Sequence, residues 1–179
     1  MTPDKEQLVY LNRKKYDVIV GIDTDAIKSG VAVLERKHDN SVKIDILPFP
    51  ELVATLCHMN NECAASGLKF VVVVEAGWME SKSNFHPYQG RRAEKIAKDV
   101  GRNHETGRKI IEMMDFSGID NIAMHPLVKT WKGKDGKITH EEIAQFISGL
   151  GKRSNQEERD AALIAWHFAD LPITMKPIR

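Results

Sequence analysis

Six residues near the middle of the chain, Phe70–Glu75, read Phe-Val-Val-Val-Val-Glu and contain no polar alternation. A continuous apolar run of this length is typical of a central strand that is covered on both faces, as in the sheet of an α/β protein. Its last residue is a carboxylate, which is costly to bury without a partner. The run therefore predicts an α/β fold in which a central strand ends at an acidic group.

The segments around this run supply the other strands of the sheet. Residues 17–23 and 30–35 are rich in Val and Ile and are joined by a short connection, which predicts a hairpin. Ser41–Leu47 alternates apolar and polar residues and predicts a third strand. The remaining elements predicted along the chain are a helix to about residue 66, a strand at 121–125, and helices at 103–114, 140–147 and 155–169. This order predicts a mixed five-stranded sheet flanked by helices.

The chain length and composition predict one globular domain. Its 179 residues are 42% hydrophobic and 28% charged, as in an ordinary folded domain of this size. Residues 1–16 are polar and become basic at Arg13–Lys15, so we expect a poorly ordered or draped extension before a single domain at 17–179. Residues 76–101 lack a clear period and are longer than a usual connection, which predicts a functional segment or a partly helical lid.

The location and redox environment of the chain are predicted from what its sequence lacks. The first residues do not resemble a signal peptide, and no apolar stretch reaches the roughly 20 residues that a membrane helix needs. We therefore expect an intracellular, cytoplasmic protein without a membrane partner. Cys57 and Cys63 have neither a CxxC spacing nor a good same-face spacing, so we interpret both as packing residues.

Four carboxylates are predicted to converge at one end of the sheet. Asp23 and Glu75 end two strands, and the carboxyl ends of such strands open onto the ligand crevice of an α/β sheet. Glu157 and Asp160 lie three residues apart at the start of a helix and therefore on one face. Four carboxylates this close together would repel each other unless cations neutralised their charge. Mg²⁺ and Mn²⁺ suit this role because they prefer oxygen ligands. A pair of such ions can hydrolyse a phosphodiester bond. Nearby acids that extend the set are Asp25 and Glu158.

Each of these carboxylates also has a purely structural alternative. Asp23 could form an Asx turn, and Glu75 could be a solvated strand end. Ser154-Asn-Gln-Glu157 matches a capping box, in which the carboxylate of Glu157 would close the helix N-terminus. Asp160 could interact with the helix dipole, although an unpaired acid beside an apolar face is costly.

Four motifs together resemble the RuvC-type Holliday junction resolvases. They are Gly21-Ile-Asp23, Val-Val-Glu75-Ala-Gly-Trp78, Gly101-Arg-Asn-His-Glu-Thr-Gly107 and Glu157-Glu-Arg-Asp160-Ala-Ala-Leu-Ile-Ala, within a match that spans residues 17–170. The resemblance implies a ribonuclease H-like fold, a homodimer, and magnesium-dependent cleavage of branched DNA at four-way junctions. It implies that Asp23 is the shared metal ligand, with Glu75 beside it and Glu157 and Asp160 as a helix pair. The long insert after Trp78 resembles the phage-type branch.

Contacts to DNA are predicted from aromatic and basic residues. The resemblance places Trp78 where a ring stacks on junction bases, and the alternative is a core Trp that caps the sheet. Arg102 and Asn103 follow Gly101 at a predicted helix start, which would suit phosphate. Although the net charge is only +1, the segment from Trp78 to Lys137 has 12 Lys and Arg against 8 Asp and Glu. Its further candidate DNA-binding residues are Arg91, Arg92, Lys95, Lys98, Lys129, Lys132, Lys134 and Lys137.

Two other functions remain open on the sequence. ATPases of the actin-like superfamily share the ribonuclease H-like core, but they need two such domains and Gly-rich phosphate loops, and neither is evident in this sequence. A module that binds branched nucleic acid without cutting it is the second alternative, and the intact set of Asp23, Glu75 and Asp160 argues against it. His125, His140 and His167 lack the spacing of metal ligands and are interpreted as structural.

Overall fold

The structure is a computed structural model that describes residues 4–80 and 90–175. Its sheet has the strand order β3-β2-β1-β4-β5. The antiparallel half consists of β1 (Val18–Asp23), β2 (Ser29–Glu35) and β3 (Ser41–Leu47). The parallel half adds β4 (Phe70–Glu75) beside β1 and β5 (Asn121–Met124) beside β4. The expectation of a mixed five-stranded sheet with a central Phe70–Glu75 strand is confirmed.

Helices cover both faces of this sheet. They are α1 (Lys5–Leu11), α2 (Phe49–Ala65), α3 (Arg91–Phe116), α4 (His140–Ile143) and α5 (Gln156–Phe168). Alternate residues of a strand point to opposite faces, and the core divides accordingly. Val72 and Val74 pack with residues of α2 and α3, whereas Val71 and Val73 pack with residues of α5. All four valines are fully buried, as the apolar run predicted.

Helix α5 approaches the sheet closely because two glycines face it. A Cβ atom on Gly21 of β1 would lie 2.3 Å from the carbonyl oxygen of Ala161, and one on Gly30 of β2 would lie 2.1 Å from the carbonyl oxygen of Glu157. Both clashes involve backbone of α5, which cannot move aside as a flexible side chain can. The absence of side chains at these two strand positions therefore sets the distance between α5 and the sheet.

The register of β1 and β4 brings their final carboxylates together. Ile22 is opposite Val74 in this parallel pair, so Asp23 and Glu75 follow at the same end of neighbouring strands. Both residues continue the alternation of the face that packs against α5. The sheet thus presents two carboxylates beside the first turns of the helix that carries Asp160.

The N-terminal segment, expected to be poorly ordered or draped, is ordered and packs against the domain. Residues Lys5–Leu11 form helix α1, whose N-terminus is closed by a capping box between Asp4 and Gln7. Val9 is buried, and the Tyr16 hydroxyl donates a hydrogen bond to the Asp120 carboxylate at 2.9 Å. Sequence patterning missed this helix because it has one buried residue and no apolar stripe to reveal it.

Helix α3 is longer than the predicted helix at 103–114. It runs from Arg91 to Phe116, so the sequence from Gly101 to Gly107 lies inside a helix and not at its start. The amide groups of Arg102 and Asn103 therefore do not form a helix N-terminus for phosphate, which corrects that interpretation. Part of the predicted insert is helical from Arg91 onward, and the segment 81–89 lies outside the described residues.

The last two helices differ in how well they match the expectations. Helix α5 matches the predicted helix within a residue at each end, whereas α4 is shorter than predicted and ends at Ile143. Cys57 and Cys63 are both free thiols in α2, and Cys63 is buried. None of the helices within residues 4–80 and 90–175 has the length and apolar character needed to cross a membrane.

Gly21→Ala tests the close approach of α5. We expect the free energy of unfolding to fall by about 1 to 3 kcal/mol, as is typical when atoms are inserted into a packed core. Gly101→Ala is the matched control, because the added Cβ meets nothing within 4 Å in the middle of α3. That change should stabilise the protein by up to about 1 kcal/mol through helix propensity. Urea unfolding measures both, and equal effects would contradict the steric explanation.

Candidate active site

Three of the four predicted carboxylates meet at the end of β1 and β4. The side chains of Asp23 and Glu75 share a hydrogen bond, and the charge of Asp160 acts on both of them. Asp160 occupies the second turn of α5, and its side chain is 16% exposed. The structure therefore brings Asp23, Glu75 and Asp160 into one acidic cluster between the sheet and α5.

Burial and mutual repulsion perturb this cluster. Burial raises the pKa of Asp23 well above its usual value, and the charges of Glu75 and Asp160 raise it further. Burial also raises the pKa of Glu75, although the positive charge of Lys129 and a backbone hydrogen bond from Leu127 oppose that shift. Raised carboxylate pKa values at a shared site mean that the cluster favours a proton or a cation over full ionisation.

Two lysines that were predicted to bind DNA lie beside the carboxylates. The Nζ atom of Lys137 is 3.8 Å from Oδ2 of Asp160, and its charge lowers the pKa of Asp23. Lys129 acts on Glu75 in the same way. Their ammonium groups partly neutralise the cluster, so these two residues belong to the acidic site as well as to the basic loop that contains Lys132 and Lys134.

The donor set suits Mg²⁺ or Mn²⁺ in chemistry. Asp23, Glu75 and Asp160 offer oxygen ligands, which these hard ions prefer. The raised pKa values of Asp23 and Glu75 mark a site that a cation would stabilise. Within the described part of the chain, however, no three acidic, His or Cys side chains already stand as a group that could hold a metal ion. The carboxylates would therefore have to rearrange to hold a metal, and the hydrogen bond between Asp23 and Glu75 would have to break.

The fourth predicted carboxylate, Glu157, stands apart from the other three. Its backbone packs against Gly30, but its side chain is exposed and forms no hydrogen bond or salt bridge with the described residues. The capping box at this helix uses Asn155 and Glu158, one residue later than the pattern that started at Ser154. The cap alternative for Glu157 is therefore wrong, and its role as a metal ligand stays a prediction.

Asp25 and Glu158 have structural roles in the described residues. The Asp25 carboxylate accepts a hydrogen bond from the backbone N–H of Ile27 at 2.8 Å, which is an Asx turn. The Glu158 carboxylate accepts one from the N–H of Asn155 at 2.7 Å. Asp25, and not Asp23, thus forms the Asx turn, and Glu158, and not Glu157, closes the helix cap. Asp23 remains part of the acidic cluster.

Trp78 packs between the end of β4 and helix α3. A Cβ atom on Gly107 would lie 2.5 Å from the indole ring, so the ring lies directly on the helix backbone at that glycine. The Arg108 guanidinium lies 5.5 Å from the ring centroid, and His104 contacts the ring edge-on. These contacts agree with the packing alternative, and the stacking of Trp78 on bases stays a prediction.

The remaining DNA-binding candidates lie on α3 and on the loop before α4. The Asn103 side chain accepts a hydrogen bond from the N–H of Ala26 at 2.9 Å, so it holds the β1–β2 turn to α3. The other candidates on these two elements have exposed side chains: Arg91, Arg92, Lys95, Lys98, Arg102, Lys132 and Lys134. Their role in binding DNA stays a prediction.

Sequence reasoning missed two polar residues beside Asp160. Gln156 donates a hydrogen bond from its side-chain amide to Oδ1 of Asp160 at 2.7 Å, and Arg159 donates one to the amide oxygen of Gln156 at 3.0 Å. The four-residue spacing of Gln156 and Asp160 on a helix was the available signal, because residues at that spacing are neighbours on the helix surface.

The fold is similar to that of RuvC from Thermus thermophilus. The structure of T. thermophilus RuvC in complex with Holliday junction substrate is 16% identical, covers 87% of this chain and 95% of its own, and has a TM-score of 0.50. A further Thermus thermophilus RuvC structure is 20% identical, with 85% and 92% of the two chains covered and a TM-score of 0.43. No protein-family model and no curated protein matches the chain. The chain thus has a RuvC-like, ribonuclease H-like fold, as the motifs implied.

Asp23→Asn tests the electrostatic cost of the acidic cluster. Without divalent cations, we expect this change to raise the free energy of unfolding at neutral pH by about 0.5 to 2 kcal/mol. The pKa of Asp23 is higher in the folded state than in the unfolded chain, where it is about 3.9. Folding of the unaltered protein therefore becomes less favourable as the pH rises above that value. The stability gained by Asp23→Asn should accordingly shrink as the pH falls toward about 4. Urea unfolding in EDTA across this pH range measures it.

Asp99→Asn is the matched control for that experiment. Asp99 lies on α3 with an exposed side chain, so its loss of charge should change stability little at any pH. A gain from Asp23→Asn that does not depend on pH, or a loss at neutral pH, would contradict the proposed repulsion.

Proposed function

We propose that this protein is a divalent-metal-dependent endonuclease that hydrolyses phosphodiester bonds at branched DNA, with four-way junctions as its substrate class. The observation that carries the proposal is the convergence of Asp23, Glu75 and Asp160 at the end of two neighbouring strands, with raised pKa values for the first two. Perturbed carboxylates in one cluster are a sign of a site for cations or proton transfer. The RuvC-like fold supports this nuclease among the functions that such a cluster could serve.

The residues of the chain divide the proposed work between them. Asp23 would be the ligand shared by the metal ions, with Glu75 and Asp160 on either side and Glu157 joining from the preceding turn of α5. Bound Mg²⁺ or Mn²⁺ would lower the pKa of an attacking water and neutralise charge on the phosphate. Burial and the charges of Glu75 and Asp160 raise the pKa of Asp23, so a metal ion would compete with a proton for this carboxylate. The Leu127 N–H then continues to orient Glu75.

Lys129 and Lys137 have a specific part in this scheme. They face Glu75 and Asp160, respectively, and supply positive charge to these carboxylates. A cation held by the carboxylates would supply that charge instead. The two ammonium groups would then be available to the phosphates next to the scissile bond, where cationic side chains stabilise the charge of the transition state.

A non-catalytic module for branched nucleic acid is the second candidate. One observation favours it: no three acidic, His or Cys side chains in the described ranges already form a metal-binding group. In that case the lysines would neutralise the carboxylates permanently, and the cluster would hold no metal ion. Cleavage of a labelled four-way junction, duplex, single strand or RNA–DNA hybrid in the presence of Mg²⁺ decides between the two candidates.

Asp23→Asn and Asp160→Asn are expected to abolish Mg²⁺-dependent cleavage and to leave junction binding nearly unchanged. Metal-held charge contributes several kcal/mol to such a reaction, so a loss of roughly 100-fold or more in rate is expected from either change. Single-turnover cleavage and a gel-shift assay in EDTA measure the two properties separately. Equal losses of cleavage and binding would contradict the catalytic assignment.

Glu157→Gln separates the exposed carboxylate from the three partly buried ones. We expect a smaller loss of cleavage than for Asp23→Asn, with thermal stability unchanged, because the capping box of α5 uses Glu158. Unfolding of Glu157→Gln would show a structural role that its exposed side chain does not indicate.

The basic loop before α4 is expected to follow the DNA backbone. Each phosphate contact contributes about 0.9 to the slope of log affinity against log salt concentration. The double change Lys132→Ala and Lys134→Ala should therefore lower that slope and weaken all DNA forms alike. The matched control is Lys15→Ala with Lys69→Ala, which removes the same charge just before β1 and β4, at the opposite end of the sheet. Equal slopes for the two pairs would place the DNA elsewhere.

We further propose a two-fold symmetric homodimer. A four-way junction is cut at two symmetry-related phosphates, and one domain offers one acidic cluster, so two copies would supply both sites. Helix α3 remains the candidate contact element, and Phe116 at its end is 87% exposed. Sedimentation equilibrium at micromolar concentration, with and without junction DNA, should give the mass of a dimer. A monomeric mass under both conditions would contradict this proposal.

A further inference from the structure

Both oxygens of the Asp160 carboxylate are held by defined partners. Oδ1 accepts a hydrogen bond from Nε2 of Gln156 at 2.7 Å. Oδ2 lies 3.8 Å from Nζ of Lys137. Gln156 is the first residue of α5, one turn before Asp160, so the bond lies along the surface of a single helix. The two oxygens of the carboxylate thus have different partners, an amide hydrogen bond on Oδ1 and an ammonium group near Oδ2.

The direction of the Gln156 amide is itself determined by its neighbours. Nη2 of Arg159 donates to Oε1 of Gln156 at 3.0 Å. A guanidinium can only donate, and an ionised carboxylate can only accept. The amide must therefore turn its oxygen to Arg159 and its NH₂ group to Asp160, because the opposite orientation would lose both hydrogen bonds.

Arg159 is anchored by backbone on the other side of its guanidinium. Nε donates to the carbonyl oxygen of Ile138 at 2.9 Å, and Nη1 donates to the carbonyl oxygen of Ser154. Ile138 directly follows Lys137, so the same guanidinium fixes the chain next to the ammonium group that faces Oδ2. One side chain thus connects the two groups that hold the two oxygens of Asp160.

We propose that Arg159 and Gln156 are positioning residues that orient the Asp160 carboxylate for metal binding, an inference that rests on the proposed nuclease function. Gln156 occupies Oδ1 and leaves Oδ2, which faces Lys137, as the oxygen that would be available to a metal ion. Arg159 acts through Gln156 and through the backbone at Ile138. Partners that orient a metal ligand typically contribute about 10- to 100-fold to metal affinity or activity.

The test measures Mn²⁺ binding, which does not depend on cleavage. Mn²⁺ is titrated into the metal-free protein, and free Mn²⁺ is followed by its electron paramagnetic resonance signal. Gln156→Met keeps the size of the side chain and removes the amide, and Arg159→Lys keeps the charge and removes the fork of donors. Each should raise the Mn²⁺ dissociation constant about 10- to 100-fold. Arg153→Lys is the control on an exposed arginine and should leave the constant unchanged.

A double-mutant cycle distinguishes positioning from a general structural effect. If Gln156 acts through Asp160, Gln156→Met should cause no further loss of Mn²⁺ affinity in the Asp160→Asn background. Junction binding in EDTA should be unchanged by Gln156→Met, because the hydrogen bond faces the carboxylate. Gln156→Met also keeps the test decisive if Arg159→Lys fails to fold.

The outcomes separate this inference from the proposed function. If the unaltered protein binds Mn²⁺ and cuts junctions, and Gln156→Met does both equally well, the positioning role is wrong and the nuclease stands. A loss in Gln156→Met that persists fully in the Asp160→Asn background also overturns the positioning role. If Asp160→Asn and the unaltered protein bind Mn²⁺ equally and neither cuts, the proposed function is wrong and this inference falls with it.

Discussion

The acidic cluster depends on the close packing of α5 against β1 and β2. Gly21 and Gly30 leave no room for a side chain between the sheet and the helix backbone. A methyl group at either position would push α5 outward, and Asp160 would move away from Asp23 and Glu75. A tight backbone contact that serves the core therefore also determines the separation of charged groups at its edge. Core packing and site geometry cannot be changed independently here, because one helix contributes to both.

This geometry has an electrostatic cost that the chain partly meets itself. Three carboxylates approach each other beside a fully apolar core, and burial raises the pKa of two of them. Lys129 and Lys137 offset part of that cost from a loop outside the sheet, and a hydrogen bond between Asp23 and Glu75 offsets another part. Such compensation is weaker than binding a divalent cation, because each ammonium group carries one charge on a flexible stem. Under the proposed function, a bound divalent cation would offset more of this electrostatic cost than the two lysines do.

The sequence predicted those parts of the fold that follow from strand periodicity. Strand alternation and strand ends located Asp23 and Glu75, and the apolar face of α5 located Asp160 beside them. The start of α3 was missed although Ala93, Ile96 and Val100 recur at helical spacing, because its first turns are rich in charged residues and bury none of their side chains fully. Two overlapping capping patterns, starting at Ser154 and at Asn155, differ by one residue, and only the backbone conformation selects the second. The positions of Lys129 and Lys137 could not be predicted, since a loop of low periodicity is placed by tertiary contacts alone.

The first turns of α5 carry two carboxylates with different tasks: Glu158 caps the helix, and Asp160 belongs to the acidic cluster. A helix N-terminus attracts carboxylates, and Glu158 uses that preference to close the capping box. Asp160 lies two residues further along, where its partners are side chains: the Gln156 amide and the Lys137 ammonium group. An amide donor stabilises a carboxylate while leaving its charge intact, whereas a salt bridge neutralises it. Holding one oxygen through a neutral amide therefore keeps the negative charge available at the other oxygen. For a residue whose proposed task is to bind a cation, that division is a physical advantage over two salt bridges.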